Sequence, residues 1–415
     1  MLKVEVLSVG TELLMGQIAN TNAQYISKKF PELGLGVFYH SVVGDNCDRL
    51  KKSLYLALER SDIVVTTGGL GPTQDDLTKQ TVAEALGLSM ELNLLCKEKI
   101  EEFFRNTGRE MAENNYRQAY FPSGCILMEN GMGTAPGCII ETEYCGKEKV
   151  IIMLPGPPRE LIPMFEKCVV PYFSDKSDHR MYSEFLKVTG VGESMVEKLL
   201  FGIIDGQTNP TVATYAKDGI VTIRITANDE SGENPESLVK KTCDEICGIL
   251  GENVYSRTNE EPEETLSKLL KEKNMTMSVA ESCTGGLISQ KMTSVPGASC
   301  VFKCGTVVYA TETKCDILGV SEETVKKYGA VSSETALAMV RRICLLSKSD
   351  CGVSVTGYAG PTADGDLPVG LVYIGVKCYD FEKVYKFNFN GTRDRIRKLS
   401  CVNACDLLRR VINNL

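Results

Sequence analysis

Hydrophobic and polar residues alternate with a period of two over residues 3–9 and run into Gly10-Thr11-Glu12, the signature of a strand meeting a loop. An amphipathic stretch follows around Ala23–Phe30. Next come a strand at Gly36–Val43, a helix at Asp48–Glu59 and a strand at Asp62–Thr67. Helical spacing returns near Thr78–Leu86 and Leu94–Arg105, and a strand at Lys149–Leu154 ends in Pro155-Gly-Pro-Pro158. Strands and helices alternating at this pitch predict βαβ units and a largely parallel sheet over residues 1–173.

The pattern changes over residues 174–257. A strand (Glu184–Thr189), a helix (Glu193–Gly202), two strands (Val212–Ala216 and Ile220–Ala227) and a helix (Pro235–Leu250) predict a small α+β unit without concentrated chemistry. The acidic, proline-bearing stretch Asn259–Glu264 marks a linker leading into a helix start. A further α/β segment then fills residues 262–415, beginning with the strand Met275–Ala280. Three α/β segments in all are expected, because single cores stop growing well below 415 residues.

Composition narrows the chemistry. Basic residues number 46 against 54 acidic ones, a net charge of −8, so a broad nucleic-acid surface is not expected. No apolar run reaches membrane-spanning length and the first residues read as a strand, which predicts a cytoplasmic protein without a membrane partner. The 17 cysteines include no Cys-x-x-Cys pair. The Cys-x3-Cys spacings at 243/247, 300/304 and 401/405 suit helical packing of reduced thiols. The two histidines, His40 and His179, lie outside the last third, so proton transfer there must use Lys, Tyr, Asp, Glu or Cys.

In that last third, Ala280-Glu-Ser282-Cys283-Thr284-Gly285-Gly286 joins a strand to a helix, a turn whose amides can hold an anion or an oxyanion. Ser282 is sited to attack a carbonyl. Cys283 is a rival nucleophile, and Ser282 or Thr284 also suits an ordinary helix cap. The strand Gly305–Ala310 leads to Tyr309 and then Lys314, and a lysine with a lowered pKa can deprotonate serine where no histidine is available. The loops Thr356-Gly357-Tyr-Ala-Gly360-Pro361 and Asp364-Gly-Asp-Leu-Pro368-Val-Gly370 bracket strand ends. Arg393 and Arg397, four apart on one helix face, suit a phosphate.

Together with Val295-Pro-Gly297 and Gly329-Ala-Val-Ser332, these motifs resemble the C-terminal domain of the CinA family, the nicotinamide-mononucleotide amidohydrolases. The resemblance covers nearly all of residues 262–415. It implies a cofactor-free Ser–Lys mechanism that releases ammonia and nicotinic acid mononucleotide. Ser282 would be the nucleophile, Lys314 the base and Tyr309 an orienting or relaying group. Thr284, Gly285, Gly286, Thr356, Gly357 and Gly360 would surround the substrate, with the arginines on its 5′-phosphate. Cys304, Ala310 and Tyr358 depart from the family's usual residues.

The N-terminal third carries its own constellation. Thr66-Thr-Gly68-Gly69-Leu-Gly71-Pro72-Thr73-Gln-Asp75-Asp76 offers amides to a phosphate and carboxylates to a divalent cation. Gly10-Thr-Glu12, Gly44-Asp45 and Gly133-Thr-Ala-Pro-Gly137 also fall at strand ends or in loops, which predicts one ligand cleft at the sheet's carboxyl edge. With Gly16–Asn22, Asn114-Asn115, Gln118 and Leu154–Pro158, the set resembles the N-terminal domain of CinA proteins, similar to the three-layer α/β molybdopterin-binding fold. The resemblance implies ADP-ribose hydrolysis. Glu12, Gly68, Gly69, Gly71, Pro72 and Thr73 would cradle phosphate, and Asp45, Asp75 or Asp76 would hold a divalent metal. Residues 174–257 resemble the family's KH-like domain but lack a basic Gly-x-x-Gly loop, so RNA is not an expected partner. A homodimer is expected. A catalytically silent competence-associated binding protein and a molybdopterin-binding protein stand as alternatives.

Overall fold

The computed structural model describes residues 2–108, 110–174, 181–229, 232–362 and 367–415. Contacts divide the chain into two units, Met1–Tyr182 with Asn228–Glu233 and Ser183–Ala227 with Asn234–Leu415. The small middle segment therefore belongs with the C-terminal segment.

The first unit contains β1 (Lys3–Val9), β2 (Gly36–Val43), β3 (Ile63–Thr67), β4 (Met90–Leu92), β5 (Tyr120–Pro122), β6 (Ile126–Met128), β7 (Gly137–Tyr144) and β8 (Lys147–Leu154). Six of these form a sheet in the order β2-β1-β3-β8-β7-β6, while β4 pairs with β5 separately. The β1–β2, β1–β3 and β3–β8 pairings are parallel, and β7 and β6 join antiparallel. The sheet is thus mixed rather than largely parallel. Its β7–β8 hairpin turns on Cys145 and Gly146, both at positive φ (53° and 73°), the backbone of a two-residue hairpin turn. Cysteine is an uncommon residue there, so the sequence carried no turn signal.

Alternation along β1 builds two cores. Val4 and Val6 pack with Ile26, Phe30 and Phe165 on one face, and Leu7 and Val9 pack with Leu50, Leu54 and Val82 on the other. Helices Thr21–Glu32 and Cys47–Arg60 supply Ile26, Phe30, Leu50 and Leu54, each helix started by an asparagine whose side chain accepts a first-turn amide. The result is a three-layer α/β arrangement.

In the second unit, β9 (Met181–Val188), β10 (Thr211–Lys217), β11 (Ile220–Asn228) and β12 (Val254–Ser256) form a sheet in the order β10-β11-β9-β12. Helix Pro235–Leu250 buries Val239, Cys243, Ile246 and Leu250. The larger sheet runs β14 (Phe302–Val307), β13 (Met277–Glu281), β15 (Cys351–Gly357), β16 (Leu371–Cys378), β17 (Phe381–Asn388). Here β13 is parallel to both neighbours, while β16 and β17 continue antiparallel. Helix Arg393–Asn413 closes one face through Ile396 and Leu408, and helix Ser333–Ser347 closes the other through Met339 and Val340.

Two local expectations change. The strand expected to reach Ala310 stops at Val307, and the pair Cys300/Cys304 spans a short helix and a strand rather than one helix. Among the described residues no helix is long and apolar enough to cross a membrane. His179 and the segment 364–366 lie outside the described residues.

Candidate active sites

Strand β13 delivers Ser282 to the carboxyl edge between its two parallel neighbours. The Ser282 N–H donates to the Val355 carbonyl (2.9 Å) and the Val308 N–H donates to the Glu281 carbonyl (2.8 Å), so both neighbours hold the exit from the strand. The turn then reverses through Gly285 and Gly286, at φ 60° and 91°, a backbone that a side chain would strain.

Glu281 anchors that turn. Its fully buried carboxylate accepts from the amides of Gly286 (3.0 Å), Ile288 (3.1 Å) and Ser289 (2.9 Å) and from the Ser289 hydroxyl (2.7 Å). A negative group over the first turn of helix Leu287–Ser294 satisfies amides that would otherwise be buried and bare. With Ser282, Gly285 and Leu287 also bonded internally, the amides of Cys283 and Thr284 have no backbone acceptor among the described residues. They are the turn's donors left without a carbonyl partner.

Lys314 approaches from the helix Thr311–Asp316, at 1% exposure and without a carboxylate partner among the described residues. Its Nζ lies 3.1 Å from Ser282 Oγ, 2.9 Å from the Val308 carbonyl and 3.3 Å from the Tyr309 carbonyl. Burial pushes its pKa below the ordinary lysine value. A neutral amine has two N–H bonds and one lone pair. Protonated, the amine donates to all three oxygens; once neutral, it would keep its N–H bonds for the two carbonyls and turn its lone pair to the serine hydroxyl.

Cys283 packs in the hydrophobic core, and burial pushes its thiol up to about 12, so it stays protonated at neutral pH. Tyr309 contributes its backbone rather than its phenol to Lys314. The exposed phenol oxygen accepts from Arg393 (2.8 Å), whose other nitrogen donates to the Gly360 carbonyl (2.7 Å). Arg397 donates twice to the Thr284 carbonyl (3.2 and 2.8 Å) and so braces the nucleophile turn.

The remaining expected residues divide between lining and scaffold. Thr356 Oγ1 is bonded to the Ala330 carbonyl (2.8 Å), and a Cβ on Gly357 would stand 2.6 Å from the Leu371 carbonyl. Gly360 sits at φ 80° against Val369. Thr284 Oγ1 is buried without a hydrogen-bond partner among the described residues.

In the first unit, loops after the parallel strands β1, β2, β3 and β8 surround a cavity of about 580 Å³. Glu12, Asp45, Gly68, Gly69, Gly71, Pro72, Thr73, Asp75 and Asp76 all line it. Gly68 needs its positive φ and its missing Cβ, which would stand 2.1 Å from the Val9 carbonyl. The amides of Gly69, Leu70 and Gly71 have no protein acceptor among the described residues, which leaves three successive donors facing a ligand site. Two of the carboxylates are otherwise engaged. Asp76 holds the loop by accepting from the Thr73 amide (2.9 Å) and hydroxyl (2.6 Å), and Asp45 accepts from the Thr11 amide (2.9 Å) and hydroxyl (2.8 Å). Among the described residues no three His, Cys, Asp or Glu side chains gather to hold a metal ion, so the aspartates expected to bind one do not form a preassembled centre.

Three stretches of the chain match known families. Residues 259–412 match the CinA C-terminal domain, residues 5–175 the probable molybdopterin binding domain, and residues 183–256 the damage-inducible protein CinA KH domain. A competence-damage inducible protein of Acetivibrio thermocellus is 50% identical over 415 residues, covering 100% of both chains. The chain belongs to the CinA family. A CinA-like protein of Dictyoglomus turgidum is 46% identical, also over 100% of both chains. Among solved structures, the competence/damage inducible protein CihA from Agrobacterium tumefaciens is 34% identical, covering 37% of this chain and 97% of that one, with a TM-score of 0.35. The CinA protein from Thermoplasma acidophilum, titled as of unknown function, is 33% identical over 40% of this chain and 94% of its own, with a TM-score of 0.35.

Two carboxylates in this CinA chain escaped the sequence reading, Glu281 and Glu160. Glu281 precedes the motif serine by one residue, and its value as a cap depends on the turn folding back over five to eight residues. Glu160 reaches the N-terminal cavity only through tertiary packing.

Proposed function

We propose that the C-terminal domain hydrolyses the carboxamide of nicotinamide mononucleotide. The observation that carries this reading is the buried Lys314 amine, 3.1 Å from Ser282 Oγ with its N–H bonds directed at two carbonyls. Ser282 Oγ attacks the carboxamide carbon as Lys314 takes its proton, and the amides of Cys283 and Thr284 stabilise the oxyanion. The C–N bond breaks, Lys314 returns the proton to the departing ammonia, and an ester to Ser282 remains. Water deprotonated by Lys314 then attacks the ester carbon, releasing the acid and restoring the serine. Arg393, exposed and bonded to the Tyr309 phenol and the Gly360 carbonyl, suits the substrate's phosphate, while Arg397 holds the turn. Ammonia release from nicotinamide mononucleotide tests the reading. Wild type should release it and Ser282→Ala should not, and equal release by both would sink the proposal.

A second reading applies to the N-terminal cavity, supported by the three free amides of Gly69, Leu70 and Gly71. They suit the pyrophosphate of ADP-ribose, cleaved to AMP and ribose 5-phosphate. No step is assigned to a cation, because the aspartates, although they line one cavity, do not converge as a three-ligand set among the described residues. AMP release with and without a divalent cation, in wild type and in Asp75→Ala, measures the requirement without disturbing the loop bonds made by Asp76. Absence of AMP under both conditions would leave the cavity a binding site alone.

A further inference from the structure

A cavity of about 360 Å³ lies within the second unit, between the small sheet and three helices that pack on or beside the larger one. Small-molecule sites occupy about 300–1,000 Å³, so a small metabolite fits. The sheet contributes Lys187 from β9, Lys217 from β10, Asp218 from the turn that follows, and Ile220 and Thr222 from β11. The helices contribute Glu263 from Pro262–Glu272, Leu287 and Lys291 from Leu287–Ser294, and Lys398, Val402 and Cys405 from Arg393–Asn413. Ser282 and Lys314 do not line it.

In a chain of net charge −8, this wall carries four ammonium groups against the three carboxylates of Asp218, Glu261 and Glu263. Three ammoniums are matched: Lys187 with Glu261 (3.4 Å), Lys291 with Glu263 (2.8 Å) and Lys398 with Asp218 (3.7 Å). Lys398 also reaches Asp394 (2.8 Å), which is outside the lining. Lys217, exposed, has no carboxylate partner among the described residues. Lys187 is 9% exposed, and its one hydrogen bond among the described residues is the long contact to Glu261. An ammonium has three N–H bonds, so two of them find no protein acceptor. A buried cation short of acceptors costs free energy, and an incoming anion recovers it. The side chains of Ile220, Leu287, Val402, Cys401 and Cys405 add an apolar surface to the same wall.

We propose that this cavity is an effector site for a small organic acid with one negative charge and an apolar body. The single charge answers the wall's surplus of one ammonium. Leu287 directly follows the Gly285–Gly286 reversal of the nucleophile turn, and Lys398 directly follows Arg397, whose guanidinium donates to the Thr284 carbonyl. A body seated against Leu287 and Val402 therefore restrains both helices that hold the turn, and local openings of the turn become rarer.

Hydrogen exchange of the full chain is read by mass spectrometry, alone and with 2-naphthoate, octanoate or 2-naphthamide. One or both acids should slow exchange in peptides carrying residues 217–222 and 398–405, and also in the peptide carrying Ser282–Leu287. Which acid protects identifies an aromatic or an aliphatic body. The uncharged amide should need about a tenfold higher concentration, the effect of one hydrogen bond to a charged group. Lys217→Gln, at an exposed position, should keep the unliganded exchange and melting temperature while weakening the acids about tenfold and leaving the amide unaffected. Lys187→Met should weaken the acids by a similar factor. None of these readouts depends on turnover by Ser282. Equal protection by acid and amide, or acid binding unchanged in both variants, overturns the anion preference. Absence of protection at 217–222 and 398–405 overturns the site, and protection there without slowing at Ser282–Leu287 overturns the effector role.

Discussion

Replacing Lys314 by methionine keeps the length and apolar stem of the side chain but removes the amine that faces Ser282 Oγ at 3.1 Å. Loss of a positioned base costs about 10²–10⁴-fold in rate, so kcat for ammonia release should fall by that factor. Stability should barely move, because two effects oppose. The Val308 and Tyr309 carbonyls lose a donor, at about 1–3 kcal/mol for each group left bare. Against that, the folded protein no longer buries a titratable amine, and an apolar replacement of similar volume is often neutral. The pH profile separates base from scaffold. Burial lowers the Lys314 pKa, so the neutral, active amine forms below the ordinary lysine range and wild-type activity rises with pH as it forms. In Lys314→Met that limb should vanish, and Lys314→Arg, which keeps a charge but cannot lose its proton, should be equally inactive. Ammonia release followed from pH 6 to 10 reads all three proteins. Retention of wild-type kcat and the wild-type alkaline limb by Lys314→Met would refute the reasoning.

Cys283→Ala should keep its activity, and iodoacetamide should not inactivate the native protein, because the thiol is pushed up to about 12 by burial. Rapid inactivation by alkylation, or loss of turnover in the variant, would restore the thiol as a candidate. Glu281→Gln leaves at least one buried amide facing an NH2 group, so urea unfolding should show a loss of about 2–4 kcal/mol together with reduced kcat. An unchanged midpoint would contradict the capping role. Lys79 is buried against Phe121 with its pKa lowered to about 8 by desolvation. Between about 8 and the ordinary 10.5 the unfolded chain holds a proton that the folded protein has released, so stability rises with pH there and the penalty is full below about 8. That penalty is about 3 kcal/mol, so Lys79→Met should be neutral or more stable at pH 7 despite losing its bond to the Gln118 carbonyl. A large destabilisation at pH 7 that eases at acid pH would reverse the sign.

The legible features are those written in local sequence. Gly36–Val43 and Thr78–Leu86 fall at the ends read from periodicity alone, and the Ser282 and Lys314 motifs follow strands at the edge where parallel sheets place ligands. What escaped depends on long-range geometry. The motif marks Lys314 as a candidate base, but only the fold buries its amine. Arg397 looks free to bind phosphate until the last helix packs beside the nucleophile turn and spends the guanidinium on the Thr284 carbonyl. Tyr309 suggests a phenol in the proton path, but the strand ends three residues early and the ring oxygen accepts from Arg393. Asp76 has the composition of a metal ligand, yet three residues of spacing let it clasp Thr73 instead.

The central claim is that Ser282 forms an ester with the substrate's acyl group. Nicotinamide mononucleotide is mixed with the full chain, quenched in acid within milliseconds to seconds, and the Ser282-bearing peptide is weighed. The account predicts a transient mass gain equal to the nicotinate mononucleotide acyl group on that peptide, absent from Ser282→Ala. Ammonia release at the wild-type rate with no adduct on Ser282, or an adduct on Cys283 instead, would contradict it.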